Sequence, residues 1–212
     1  MKNLGNVFIL GDSYSTFKGC IPKEYAYYYD ENCMQTFGFN DKDCTWWNLL
    51  LEKTNSKLSF NDSYSGTTIC YTGYDGADAK QSSMLYRLKK YIENDYFNKN
   101  NVNTLFIFGG TNDSWANSPL GDKNNVHYSE NDLYCFYPAI KELAKDIREN
   151  LSNLRIIFII NCELTDDVTN GILDVCKANG IQTVKLHDIQ KVNGHPNKEG
   201  MEQICNQIYE QL

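Results

Sequence analysis

Val7-Phe8-Ile9-Leu10-Gly11-Asp12-Ser13-Tyr14-Ser15 is an apolar run that stops at a glycine and is followed by an acid and a serine. Such a run predicts a buried strand ending in a tight turn, with Ser13 presented at the strand's carboxyl end. In parallel α/β sheets, ligands bind in the crevice outside those carboxyl ends. A serine in the first such turn is either a nucleophile or a loop donor to an anion. The stretch alone leaves both readings open.

Outward from this turn, strand-like apolar runs recur at residues 57–60, 104–108, 155–160 and 182–186. Helical patterns separate them at 45–52, 83–92, 133–151 and 166–178, and a last one covers 198–212. The 133–151 segment puts Ile140, Leu143, Ala144, Ile147 and Leu151 on one face. Gly180 follows the 166–178 pattern as a C-terminal glycine, and Asn197 precedes the final helix as its cap. Strand–helix alternation of this kind implies right-handed crossovers and a five-stranded parallel sheet with helices on both faces. No Pro/Gly/Ser linker and no repeat divides the chain, so residues 1–212 read as one domain. Two loops are long for this architecture, roughly 16–42 and 114–132, and both leave carboxyl ends of strands. The first carries Tyr25, Tyr27, Tyr28 and Tyr29, which suits a folded-down lid as well as a sugar-binding surface.

The 212 residues carry a formal charge of -7, with 42% hydrophobic and 22% charged residues, the balance of a soluble globule. Cationic residues cluster no further than pairs such as Lys89-Lys90, which argues against a nucleic-acid partner. Eight cysteines lie scattered without a CxxC pair, as small buried hydrophobes in a reducing compartment would. Three histidines are too few for a His-based metal cluster, and no cofactor is expected. No segment has the length of a membrane span, and residues 7–10 are too short for a secretory apolar region. A cytoplasmic protein with no membrane partner is the expectation.

Four local signals converge on one sheet edge. Ser13 follows the first strand. Gly66, in Asp62-Ser63-Tyr64-Ser65-Gly66-Thr67-Thr68, follows the second. Gly109-Gly110-Thr111-Asn112-Asp113 follows the third, and His195 lies between the fifth strand and the last helix. This set suits acyl transfer. Neutral imidazole removes the proton that keeps a serine hydroxyl a poor nucleophile. The resulting oxyanion needs aimed donors, and the N–H groups of Ser13 and Gly66 with the Asn112 amide supply three. A glycine at 66 lets a carbonyl approach the main chain.

Gly11-Asp12-Ser13, the isolated Gly66, Gly110-Thr111-Asn112-Asp113 and His195-Pro196 resemble, in order and spacing, the blocks of the SGNH (GDSL-type) hydrolase superfamily. The resemblance runs from residue 7 to the final helix. It implies a flavodoxin-like three-layer α/β/α sandwich and an esterase, lipase, thioesterase or carbohydrate-deacetylase activity on a small-molecule ester. It also implies Ser13 as nucleophile, His195 as base, and Gly66 with Asn112 as oxyanion donors. The Gly-x-Ser-x-Gly elbow of α/β-hydrolases is absent, because Ser15 occupies its second glycine.

One position departs from the family pattern. Three residues before the histidine, where the family usually has an orienting aspartate, stands Val192. Asp188 and Glu163 are the available carboxylates, and a backbone carbonyl in the 190–193 turn is the other candidate. The expectation is a Ser–His dyad steadied by a carbonyl or by a non-standard acid. Asp12, Tyr14 and Trp115 are assigned to the substrate side, Asp12 doubling as a cap of its turn and Trp115 as a pocket floor. Two other functions compete. One is a weakened or inactive family member that binds a glycan without cleaving it. The other is a flavodoxin-like protein whose Ser13-Tyr14-Ser15-Thr16 loop cradles an anion such as a flavin phosphate.

Overall fold

The computed structural model describes residues 2–125 and 127–212. Five parallel strands, β1 (Asn6–Gly11), β2 (Lys57–Ser63), β3 (Thr104–Phe108), β4 (Arg155–Ile160) and β5 (Gln182–Lys185), form one sheet in the order β2-β1-β3-β4-β5. Around it lie α1 (Met34–Phe37), α2 (Trp46–Thr54), α3 (Met84–Glu93), α4 (Tyr96–Lys99), α5 (Thr111–Trp115), α6 (Phe136–Asn150), α7 (Asp166–Ala178) and α8 (Lys198–Gln211). A two-stranded hairpin, β6 (Lys191–Val192) and β7 (His195–Pro196), stands between β5 and α8.

The strands read as continuous apolar runs because both faces are covered, and successive side chains point to opposite faces. Phe8, Leu10, Leu105, Ile107, Phe158 and Ile160 pack one way, against Leu88 of α3, Leu143 of α6 and Ile172 of α7. Val7, Ile9, Phe106, Phe108, Ile157 and Ile159 pack the other way, against Trp46 and Leu50 of α2 and Met201, Ile204 and Ile208 of α8. The result is the three-layer α/β/α sandwich expected from the alternation. The chain reverses direction across the sheet between β1 and β3, and in open α/β sheets that point opens the ligand crevice at the strands' carboxyl ends.

Differences from the sequence reading have local causes. The apolar run at 57–60 continues as a strand through Asn61, Asp62 and Ser63, all buried, because each polar group is satisfied inside. Asn61 Nδ2 donates to the Ser15 carbonyl at 2.9 Å, Ser63 Oγ donates to Asn61 Oδ1, and Asp62 meets Arg87. The helix placed from residue 133 starts at Phe136; Glu130–Tyr134 is a separate 3-10 turn held by a Ser129/Asp132 capping box. The long loop after β1 is packed rather than open, with Phe17, Tyr29, Phe37 and Phe39 buried in the second core. The Gly180 and Asn197 readings hold. Gly180 has φ +67, and Asn197 accepts from the Gly200 N–H at 2.9 Å. Among the described residues, no helix is long and apolar enough to cross a membrane.

Candidate active site

The turn after β1 is a single 3-10 turn, Ser13–Ser15, capped by Asp12, whose Oδ1 accepts from the Tyr14 N–H at 3.0 Å. Its position is fixed from three sides. Trp46 Nε1 donates to Ser15 Oγ at 3.1 Å, Trp47 Nε1 donates to the Ser15 carbonyl at 3.0 Å, and Asn61 reaches the same carbonyl. Gly11 leaves no room for a side chain: a Cβ there would overlap Ser63 Oγ and lie 2.7 Å from Ser15 Cβ. Both tryptophans after Thr45 are therefore core residues with a polar duty at this turn.

His195 comes from the other end of the chain and meets Ser13 there. Its Nε2 lies 2.9 Å from Ser13 Oγ, and its Nδ1 lies 3.2 Å from the Asn193 carbonyl. A carbonyl only accepts, so Nδ1 carries the proton and Nε2 offers its lone pair to the Ser13 hydroxyl. Burial pushes the imidazole down to about 4, so the ring is neutral at pH 7. The hairpin explains how His195 is delivered. Asn193 and Gly194 have φ of 50 and 78, the pair of left-handed residues that closes a two-residue hairpin whose twist matches its strands. The Asn193 carbonyl that holds Nδ1 thus belongs to the turn that β7 itself leaves.

Neither expected carboxylate reaches the ring. Asp188 is exposed and pairs with His187 Nδ1 at 3.1 Å. Glu163 is also largely exposed and accepts from Lys191 Nζ at 3.0 Å. Through Lys191 it ties the loop after β4 to the hairpin that carries His195. Val192 stands opposite His195 in the hairpin register and packs against the second core.

On the other side of Ser13 lie Gly66 and Asn112. Gly66 has φ +86, in the left-handed region that favours glycine, and a Cβ there would point into open space. Neither the Ser13 nor the Gly66 N–H finds an acceptor among the described residues. The Asn112 amide is pinned at both ends: Nδ2 donates to the Thr67 carbonyl at 2.8 Å and Oδ1 accepts from the Tyr74 hydroxyl at 2.7 Å. One N–H of Nδ2 remains uncommitted. Asp113, wholly buried, holds the Gly66 loop by accepting from the Ile69 and Cys70 N–H groups at 2.8 and 3.2 Å. Arg87 braces the same loop from below. It donates to the Asp62 carboxylate and carbonyl, to Thr67 Oγ1 at 3.3 Å and to the Ser82 carbonyl at 2.9 Å.

Asp12 and Tyr14, expected on the substrate side, are both closed off from solvent. Asp12 is fully buried and burial pushes its carboxyl up to about 6. Tyr14 is equally buried, and its hydroxyl donates to the Gly194 carbonyl while its ring lies 5.3 Å from that of His195. Trp115, by contrast, is 38% exposed and sets its ring edge-on to His195 at 5.7 Å, against the Gly194 Cα.

The sequence reading missed three contributors. Tyr28 stacks on the His195 ring with centroids 3.4 Å apart and planes 8° from parallel. Tyr74 orients the Asn112 amide. Arg87 and Asp62 form a buried ion pair beneath the site. No local pattern distinguishes Tyr28 or Tyr74 from the chain's other tyrosines. The hairpin also went unread, although Asn-Gly between two extended pairs is a strong short-range turn signal.

A comparison with curated proteins found no match. The family described as GDSL-like Lipase/Acylhydrolase matches residues 5–212. Among solved structures, the chain is similar to a protein described as a GDSL-like lipase from Bacteroides ovatus, with 36% identity and a TM-score of 0.88 over 98% of this chain and 97% of that one. It is similar in the same way to one from Bacteroides uniformis, at 34% identity and a TM-score of 0.86 over 98% and 95%. A family two carbohydrate esterase from Clostridium thermocellum shares the fold at 16% identity and a TM-score of 0.62, over 100% of this chain and 64% of that one. By sequence and by fold, this chain belongs to the GDSL-like lipase/acylhydrolase family and is an ester hydrolase.

Proposed function

We propose that Ser13 is the nucleophile of a serine esterase that removes a short acyl group from a small alcohol or carbohydrate. The observation that carries this reading is the 2.9 Å contact between Ser13 Oγ and His195 Nε2, with the Nδ1 proton held by a carbonyl. Ser13 Oγ attacks the acyl carbonyl as Nε2 takes its proton. The oxyanion then faces the N–H groups of Ser13 and Gly66 and the uncommitted N–H of Asn112. Imidazolium returns the proton to the departing alcohol, leaving an acyl group on Ser13. Water, deprotonated by the same Nε2, releases the acid and restores the hydroxyl.

A short acyl group follows from room. Ser13 is 2% exposed, Asn112 3% and His195 8%, so little open surface surrounds the reacting groups, which favours a small acyl group. A carbohydrate alcohol is supported by the exposed indole of Trp115 beside His195, a flat apolar face of the kind that sugar rings stack on. The carbohydrate-esterase likeness is one of fold and adds only consistency.

A fluorophosphonate probe labels the native protein and not Ser13→Ala if this reading holds. Turnover of p-nitrophenyl esters is expected to fall steeply from acetate to octanoate. A folded native protein that neither labels nor turns over acetate would overturn it.

A further inference from the structure

The imidazole of His195 has no carboxylate partner among the described residues, yet it must carry a full positive charge once Ser13 gives up its proton. Its surroundings decide where that charge finds support. Ser13 Oγ faces Nε2 and the Asn193 carbonyl faces Nδ1. The rings of Tyr14 and Tyr29 flank it at 5.3 and 6.5 Å, with both hydroxyls already spent on the Gly194 and Pro196 carbonyls. Trp115 presents an edge-on ring. Lys191, on β6, places an ammonium nearby that opposes an imidazolium, its charge partly met by Glu163. That leaves one ring face flat against the imidazole, the face of Tyr28.

We propose that Tyr28 is a positioning residue for His195, its ring face fixing the imidazole plane and favouring the imidazolium in part of the role that an orienting carboxylate plays in a triad. This rests on the Ser13–His195 reading above. An aromatic ring carries negative potential on its face, and a cation lying over it is attracted. With planes 8° apart at 3.4 Å, the whole imidazole lies over the phenol ring. The transfer moves one proton from Ser13 Oγ to Nε2. The charge that appears on His195 meets the Tyr28 face, and no electron is gained or lost.

The ring's placement is built into the nucleophile's own turn. Thr16 Oγ1 donates to the Ser13 carbonyl at 2.9 Å and accepts from the Tyr28 N–H at 2.9 Å. The Tyr29 hydroxyl donates at 2.9 Å to the carbonyl of Pro196, the residue after His195. Phe37 and Tyr29 hold the Tyr28 ring edge-on at 5.6 and 5.1 Å. Nucleophile, base and stacking ring are therefore tied together through the same turn, which a chance surface contact would not be.

The test uses the full chain and two readouts, the NMR titration of the His195 ring and the rate of fluorophosphonate labelling. Tyr28→Phe keeps the face and is expected to titrate and label like the native protein. Tyr28→Leu removes it. Its His195 is expected to titrate at lower pH, and labelling at pH 7.5 to slow about tenfold, which is about 1.4 kcal/mol. A trifluorinated phenylalanine at position 28, which keeps the ring's shape and strips its negative face, is expected to behave like Leu and covers the case in which Leu disturbs the loop. Unchanged titration in both the Leu and the fluorinated variants would overturn the proposal. So would a Phe variant as slow as Leu. If His195→Ala labels as fast as the native protein, the reading of His195 as base has failed, a result distinct from failure of the Tyr28 proposal alone.

Discussion

The Asn193 carbonyl stands 3.2 Å from Nδ1 of His195, on the side of the ring where a triad holds a carboxylate. A neutral acceptor fixes the tautomer but adds little to the stability of an imidazolium, and burial then keeps the ring's affinity for protons low.

The pH profile should show this. With the imidazole pushed down to about 4, kcat/KM for p-nitrophenyl acetate is expected to stay flat from pH 8 down to about 5 and to halve near 4. Val192→Asp should move that acid limb up the pH scale. Val192 is the register partner of His195, and directly opposed side chains in a hairpin lie about 5 Å apart at Cβ. An opposite charge at such range favours the protonated ring. An acid limb that stays in place in the aspartate variant would mean that the carboxylate does not reach Nδ1.

Tyr74 and Asn112 make a second separable claim. The Tyr74 hydroxyl fills the Asn112 Oδ1 position, so the amide cannot turn over without losing that bond and the one to Thr67. Asn112→Ala removes the proposed oxyanion donor and should lower kcat by about 10²–10³. Tyr74→Phe leaves the donor and loosens its aim. A fall of about tenfold in kcat with KM nearly unchanged is expected. A Tyr74→Phe variant that raises KM and spares kcat would instead make Tyr74 a substrate contact.

Much of this was legible in the chain because it is local. The strand β1, its glycine stop and Ser13 are contiguous, and the family blocks around Gly66, Asn112 and His195 each lie within a few residues. What escaped is carried by pairs distant in sequence. Tyr28 and His195 meet only because loop and hairpin fold over the same turn. Asp62 lies beyond the run expected as the second strand, and its partner, Arg87, is 25 residues further along the chain. Asp12 and Tyr14, expected on the substrate side, are both wholly buried. On a turn this tight, the neighbours of Ser13 point back into the protein.

Asp12 predicts how stability follows pH. Burial pushes Asp12 and Asp113 each up to about 6, above the 3.8 of a free carboxyl. Between about pH 4 and 6 the folded chain therefore holds protons that the unfolded chain has released, so their contribution to stability falls as pH rises through that window. Asp12→Asn keeps an oxygen for the Tyr14 N–H and has no charge to bury. Relative to the native protein, it should gain up to about 3 kcal/mol between pH 4 and pH 7.5, read from urea unfolding at both values. A pH-independent difference between the two proteins would show that Asp12 does not titrate in this range.

The Arg87–Asp62 pair is the brace beneath the Gly66 loop, and both side chains are almost wholly buried. Tyr91 donates its hydroxyl to the other Asp62 oxygen at 3.0 Å, so the carboxylate is fully engaged while Arg87 is present. Arg87→Met leaves that charge buried and uncompensated, and breaking such a pair costs about 3–5 kcal/mol. The double variant Asp62→Asn/Arg87→Met removes both charges and should recover most of this, because an intact buried pair adds little over an apolar replacement. Activity need not follow stability. Thr67 loses its Arg87 donor in both variants, and its carbonyl is what fixes Asn112. The double variant is therefore expected to regain its unfolding midpoint in urea and to keep a reduced kcat. Recovery of both together would mean that Arg87 supports the fold alone and not the aim of the oxyanion donors.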